Sequence, residues 1–120
     1  MTQKKVLIID DDPAILTSVK AILEGNGYDT ITAQTGDEGI KAYNDENPDI
    51  VLCDMMMEKI DEGTTVAKTI KAKDADKPVF LLSSIGDATA NNINLSEIGF
   101  NGVFQKPVNF DLLLSMMAKY

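Results

Sequence analysis

Histidine is absent from all 120 residues, and cysteine occurs once. Without histidine the chain lacks the commonest general base and the commonest transition-metal ligand. Any chemistry must therefore run on carboxylates, hydroxyls, lysines and a hard metal. A single cysteine, Cys53, cannot close an internal disulfide, which suits a cytoplasmic chain. Inside "DIVLCD" it reads as a small buried residue and not as a reactive thiol. Long apolar runs are missing too. The longest fall far short of the roughly 20 residues that a membrane span needs, and the run after "MTQKK" stops at Asp10, so no export signal is read. Positive charge is scarce: 11 basic residues face 19 acids, a formal charge of −8. That balance, with no run of lysine or arginine, gives direct nucleic-acid binding no electrostatic support. Linkers, low-complexity stretches and internal repeats are absent as well.

What is present fits one ordinary domain, with 44% hydrophobic and 25% charged residues. Five short apolar runs recur: "KVLII", "DTITA", "DIVLC", "PVFLL" and "GVFQ". Most are continuous and not alternating, as in strands covered on both faces. Segments with helical spacing lie between them. Ile15, Leu16, Val19, Ile22 and Leu23 form one stripe, stopped by "EGNGY". A second helix is expected from about Gly36 to Asn44, marked by Ile40 and Tyr43, and a third carries Val66, Ala67 and Ile70. A fourth, within residues 87 to 98, is poor in helix formers. The last begins near Asn109 and should bury Phe110, Leu113, Leu114 and Met117. Alternation of this kind argues for right-handed βαβ units around a five-stranded parallel sheet, an α/β domain.

In open α/β sheets, ligands bind beyond the carboxyl ends of the strands. The first expected strand delivers Asp10 and Asp11, the third Asp54, the fourth Ser83 and Ser84, and the fifth Lys106. Asp12 before Pro13 reads as a helix N-cap with proline at the first helical position. Capping leaves Asp10 and Asp11 unexplained, and adjacent carboxylates become comfortable beside a hard cation. Each group has a bland alternative: solvated loop acids, a serine satisfying local backbone, a surface lysine. All of these would have to hold together on one rim.

"VLIIDDDP", "DIVLCD", "PVFLLSS" and "VFQKPV" resemble the receiver domains of two-component response regulators, in order and over essentially the whole chain. The resemblance implies a doubly wound, flavodoxin-like sheet of order 2-1-3-4-5, with residues 1–120 as one cytoplasmic receiver and no output domain in this chain. It places the acidic pair on Asp10 and Asp11, the phosphoacceptor on Asp54, the switch hydroxyl on Ser83 and the paired lysine on Lys106. By the same resemblance, Mg²⁺ is held by Asp11, Asp54 and the backbone carbonyl of Met56, with Asp10 acting largely through water. The implied phosphodonor is a sensor histidine kinase, and the implied reader is a downstream protein that the sequence does not name. Such a domain catalyses only its own phosphorylation and dephosphorylation.

This chain departs from the family pattern at several places. Met57-Glu58 stands where Met-Pro is usual, and the nearby glycine comes one place late, at Gly63. Val103 replaces the aromatic partner of the switch hydroxyl, and period-two geometry sends Phe104 to the other face. By the resemblance, the neighbours that can orient a hydrolytic water lie two places after Asp54 and Ser83; here they are Met56 and Ile85, both apolar, so a long-lived phosphoryl group is expected. Without an aromatic at 103, phosphorylation should alter order mainly in residues 84 to 98. Two other readings remain open at this point. "DDD" also satisfies the D-x-D of haloacid-dehalogenase-type phosphatases, with Asp10 as nucleophile and Asp12 as acid. A degenerate receiver that only binds partners is the other.

Overall fold

A computed structural model describes residues 4–54, 62–84, 101–106 and 108–120. Five strands, β1 (Lys5–Ile9), β2 (Asp29–Ala33), β3 (Ile50–Asp54), β4 (Val79–Ser84) and β5 (Gly102–Lys106), form one parallel sheet of order β2-β1-β3-β4-β5. Four helices are described: α1 (Pro13–Gly25), α2 (Gly36–Glu46), α3 (Glu62–Lys73) and α4 (Phe110–Met117). The doubly wound fold and its strand order are as expected. The helix anticipated within residues 87 to 98 lies outside the described residues.

Alternation along the strands feeds two cores. Leu7, Ile9, Val51, Cys53, Val79 and Leu81 pack beneath α2 and α3, with Tyr43, Val66 and Ile70. Val6, Ile8, Ile50, Leu52, Phe80 and Leu82 pack beneath α1 and α4, with Leu16, Leu23 and Leu113. Every residue of β3 is buried, which explains its uninterrupted apolar sequence. β2 differs, with only Ala33 fully buried. It is an edge strand, and the Thr-Ile-Thr alternation of "DTITA" reflects a half-exposed position. Full burial of one large aliphatic side chain stabilises by about 1.5–3 kcal/mol, and these two layers contain many.

Local signals set the helix ends. Asp12 takes an extended conformation, and its carboxylate accepts the amide of Ala14, with Pro13 opening α1. The helix stops where Gly27 adopts φ +91°, a conformation that only glycine reaches without strain. Thr35 caps α2 by accepting from Glu38 N, and left-handed Asn47 ends it. Asn109 caps α4, as its sequence position suggested. Within α4, Leu113 and Met117 are fully buried; Phe110 and Leu114 are only partly so, because a helix one sheet-face deep presents a narrow stripe to the core.

α1 and α4 cover one face, and α2 and α3 the other. The chain therefore leaves β1 toward one side of the sheet and β3 toward the opposite side. The crevice between their carboxyl ends is the topological switch point, where a doubly wound sheet offers a ligand site.

Candidate functional site

Strand register builds this crevice. Ile9 pairs with Cys53, so the next residues, Asp10 and Asp54, emerge side by side. The Asp10 amide still donates to Ala33 O at 3.0 Å, which holds the residue in the plane of the sheet after β1 has formally ended. Asp54 is the last residue of β3 and is registered with Leu82. Asp10 is fully buried and Asp54 is 4% exposed, whereas Asp11 faces solvent. One carboxylate oxygen from each of these three acids lies within 4.8 Å of the others.

Donor set and spacing fit a hard divalent cation. Three carboxylate oxygens of one sign, two of them withdrawn from water, suit Mg²⁺, which is bound by a few carboxylates and keeps several waters. An exposed Asp11 at the mouth leaves an approach from solvent. Acids this close repel one another, and burial weakens the screening that would relieve them.

The other expected site residues reach the same rim by register. Ser83 is 3% exposed and pairs with Gln105, one place beyond the partner of Asp54. Ser84 pairs with Lys106, the last residue of β5. Met56 and Ile85 lie outside the described residues, as does Glu58. Val103 is 37% exposed, and its neighbour Phe104 is buried in the core beneath α1 and α4, as strand alternation requires. Cys53 is buried beside the site, matching its reading as a packing residue.

One contact escaped the reading of the sequence. The Asp12 amide donates to Asp10 Oδ1 at 2.9 Å. Together with the bond from Ala14 N to Asp12 Oδ1, also 2.9 Å, this makes two successive carboxylate-to-amide bonds of i to i+2 spacing. The D-x-D spacing was the available signal, since Asp side chains commonly bond the backbone two residues on. That geometry turns the Asp12 carboxylate onto the start of α1. It gives no support to Asp12 as the acid of a phosphatase.

The family model for the response regulator receiver domain matches residues 6–118. This chain belongs to the response regulator receiver domain family. Receivers of two-component systems are signalling domains and not classical enzymes. Among curated proteins, the probable transcriptional regulator ycf27 of Guillardia theta is 38% identical over 106 residues, which cover 88% of this chain and 41% of that protein. The alkaline phosphatase synthesis transcriptional regulatory protein PhoP of Bacillus subtilis is 34% identical over 104 residues, covering 87% of this chain and 42% of that protein. The receiver thus spans less than half the length of these relatives. Among solved structures, a CheY-like response regulator receiver domain protein from Methanospirillum hungatei superposes with a TM-score of 0.88 at 28% identity, covering 98% of this chain and 93% of that one. The receiver domain of the Francisella response regulator 1452 gives 0.84 at 33% identity, covering 97% of this chain and 94% of that one. Among the described residues, no helix is long and apolar enough to cross a membrane.

Proposed function

We propose that this receiver accepts a phosphoryl group on Asp54 from a phosphohistidine of a partner kinase, and signals by a change in how it docks onto a downstream protein. The observation that carries this reading is the clustering of Asp10, Asp11 and Asp54 oxygens within 4.8 Å at the switch point of the sheet. In the proposed step an Asp54 carboxylate oxygen attacks phosphorus in line. The new O–P bond forms as the P–N bond of the phosphohistidine breaks, and the departing imidazole takes up a proton. The products are an aspartyl phosphate and a neutral histidine on the kinase.

Asp10, Asp11 and Asp54 would hold Mg²⁺, with the Met56 carbonyl as the further ligand that the family resemblance assigns. Bound there, the metal supplies positive charge against the acids and the incoming phosphoryl oxygens. The chain's own residues do the rest. Asp54 is held at a strand end, so its position is fixed before the donor arrives. Ser83 would offer a hydroxyl hydrogen to a phosphoryl oxygen, and Lys106 is the residue to which the family resemblance assigns the paired ammonium charge. The two curated relatives named above are transcriptional regulators, which supports transcription as the kind of output this receiver governs.

A small acyl phosphate with Mg²⁺ tests the reading directly. Peptide mass analysis should place the added phosphoryl on Asp54, and Asp54→Asn should abolish it. Modification or turnover through Asp10 would select the phosphatase reading. No modification at any residue, under conditions where a control receiver is labelled, would select the binding module.

A further inference from the structure

Asp12 lies outside both the three-acid cluster and the strands, yet its amide donates to the Asp10 carboxylate. It sits one residue before Pro13, which restricts it to extended backbone, and φ −90°, ψ 110° agree. Its carboxylate accepts from Ala14 N at 2.9 Å, while its carbonyl accepts from Ile15 N and Leu16 N at 3.1 and 3.2 Å. Both ends of the residue are therefore tied to the first turn of α1. So anchored, its own amide points back toward the strand end and donates to Asp10 Oδ1.

We infer that Asp12 is a positioning residue: by capping α1 it aims its backbone N–H at Asp10 and fixes the plane of that buried carboxylate in the orientation the cation site needs. The inference rests on the proposed reading of the cluster as a Mg²⁺ site. The bond to Oδ1 restrains rotation of the Asp10 carboxylate about Cβ–Cγ, and so helps keep a carboxylate oxygen beside those of Asp11 and Asp54. Loss of the cap would let the first turn fray, and the amide would leave Asp10 for part of the time. Apparent affinity then falls by the fraction of molecules still correctly arranged. In this role the capping oxygen matters and the negative charge does not. Asparagine keeps that oxygen; alanine loses it.

Mg²⁺ dissociation constants, measured by titration of backbone amide NMR signals on the wild type, Asp12→Asn and Asp12→Ala, test this. Melting curves in chelator are recorded alongside, to separate positioning from stability. The expected result is a dissociation constant about threefold or more weaker for Asp12→Ala, with Asp12→Asn staying within about twofold of wild type. Equal weakening in both variants would assign the effect to charge and overturn the inference. So would a lower melting temperature for Asp12→Ala with unchanged Mg²⁺ affinity, which is the mark of a cap that serves stability alone. Wild-type protein that does not respond to Mg²⁺ would instead overturn the reading of the cluster, and the inference with it.

Discussion

Replacing Asp54 by asparagine should raise the melting temperature of the metal-free protein and diminish what Mg²⁺ adds. Asp10 is fully buried and Asp54 is 4% exposed, and their chosen oxygens lie within 4.8 Å. Two unit charges at that separation repel by about 0.9 kcal/mol in a water-like medium and by about 3.5 kcal/mol at an effective dielectric of 20. Asparagine keeps the shape and removes this repulsion, a relief of about 1–3 kcal/mol to the metal-free fold. For a chain of this length 1 kcal/mol is worth about 4 °C, which puts the expected rise at about 4–12 °C. Saturating metal reverses the order. At a hundredfold excess over its dissociation constant, a ligand stabilises the native state by about 2.7 kcal/mol. The wild type, with all three acids, should take more of that benefit than the variant.

Calorimetric or circular-dichroism melts of both proteins, in chelator and across a Mg²⁺ titration, would show the curves converging or crossing. Asp45→Asn, an exposed acid on α2, controls for general relief of the net charge and should move the melt by about 2 °C or less. An Asp54→Asn protein that melts no higher than wild type in chelator would refute the electrostatic argument. Melts of both proteins indifferent to Mg²⁺ would refute the metal site itself.

Tyr43→Phe should cost about 1 kcal/mol at neutral pH, because the tyrosine hydroxyl donates to Asp74. Burial, reinforced by that bond and by the charge of Asp74, raises the tyrosine pKa well above its ordinary 10.0. The unfolded chain therefore ionises first, and the tyrosine's contribution is full below pH 10 and lost as pH climbs beyond it. Denaturant titrations between pH 8 and 11 should accordingly show a flatter alkaline decline in the variant, and parallel declines would contradict the account. Gly39→Ala would place a methyl 2.4 Å from Ile9 Cδ1 and 2.8 Å from its Cγ1. Overpacking at about 1–3 kcal/mol should outweigh the gain of about 1 kcal/mol in helix propensity, and adding Ile9→Val should recover part of the loss in a double-mutant cycle. Met56→Asn should shorten the lifetime of the phosphoryl group on Asp54, measured by its loss over time, since asparagine can orient a water and methionine cannot.

Much of this molecule is legible in the sequence because its strands are short and bounded by charge or proline. "KVLII" and "DTITA" coincide with β1 and β2 residue for residue, and Asp10 is visible as the first break in the apolar run of β1. β3 and β4 run further toward the site than hydrophobicity alone suggests, to Asp54 and Ser84. Their last residues are polar but remain paired: Asp54 with Leu82, Ser84 with Lys106. Periodicity cannot report such pairing, since it registers burial and not hydrogen bonds. α2 likewise continues two residues past Asn44, because a polar last turn is invisible to an apolar stripe. The backbone bond from Asp12 to Asp10 was legible only as a spacing, and a spacing does not say which conformation the chain will take.

The acids at one end of the sheet stand opposite a set of neutral and charged ties at the other. Asn101 accepts from both Val79 N and Lys71 Nζ at 3.0 Å, and its own amide donates to Val79 O at 2.7 Å. Lys77 donates to Pro48 O at 2.6 Å and lies over the ring of Tyr43. Lys73 reaches Asn44, and Tyr43 reaches Asp74. These bonds fasten the amino ends of β3, β4 and β5 to α2 and α3, while Asp10, Asp11 and Asp54 lie together at the carboxyl ends. Strands of five or six residues separate the two. Strands gripped at one end and packed on both faces resist translation as whole units, since close-packed interiors deform poorly. A change of charge at Asp54 is therefore expected to act by reorienting groups at the strand ends, with Ser83 first among them, while the register that brought Asp10 and Asp54 together stays fixed.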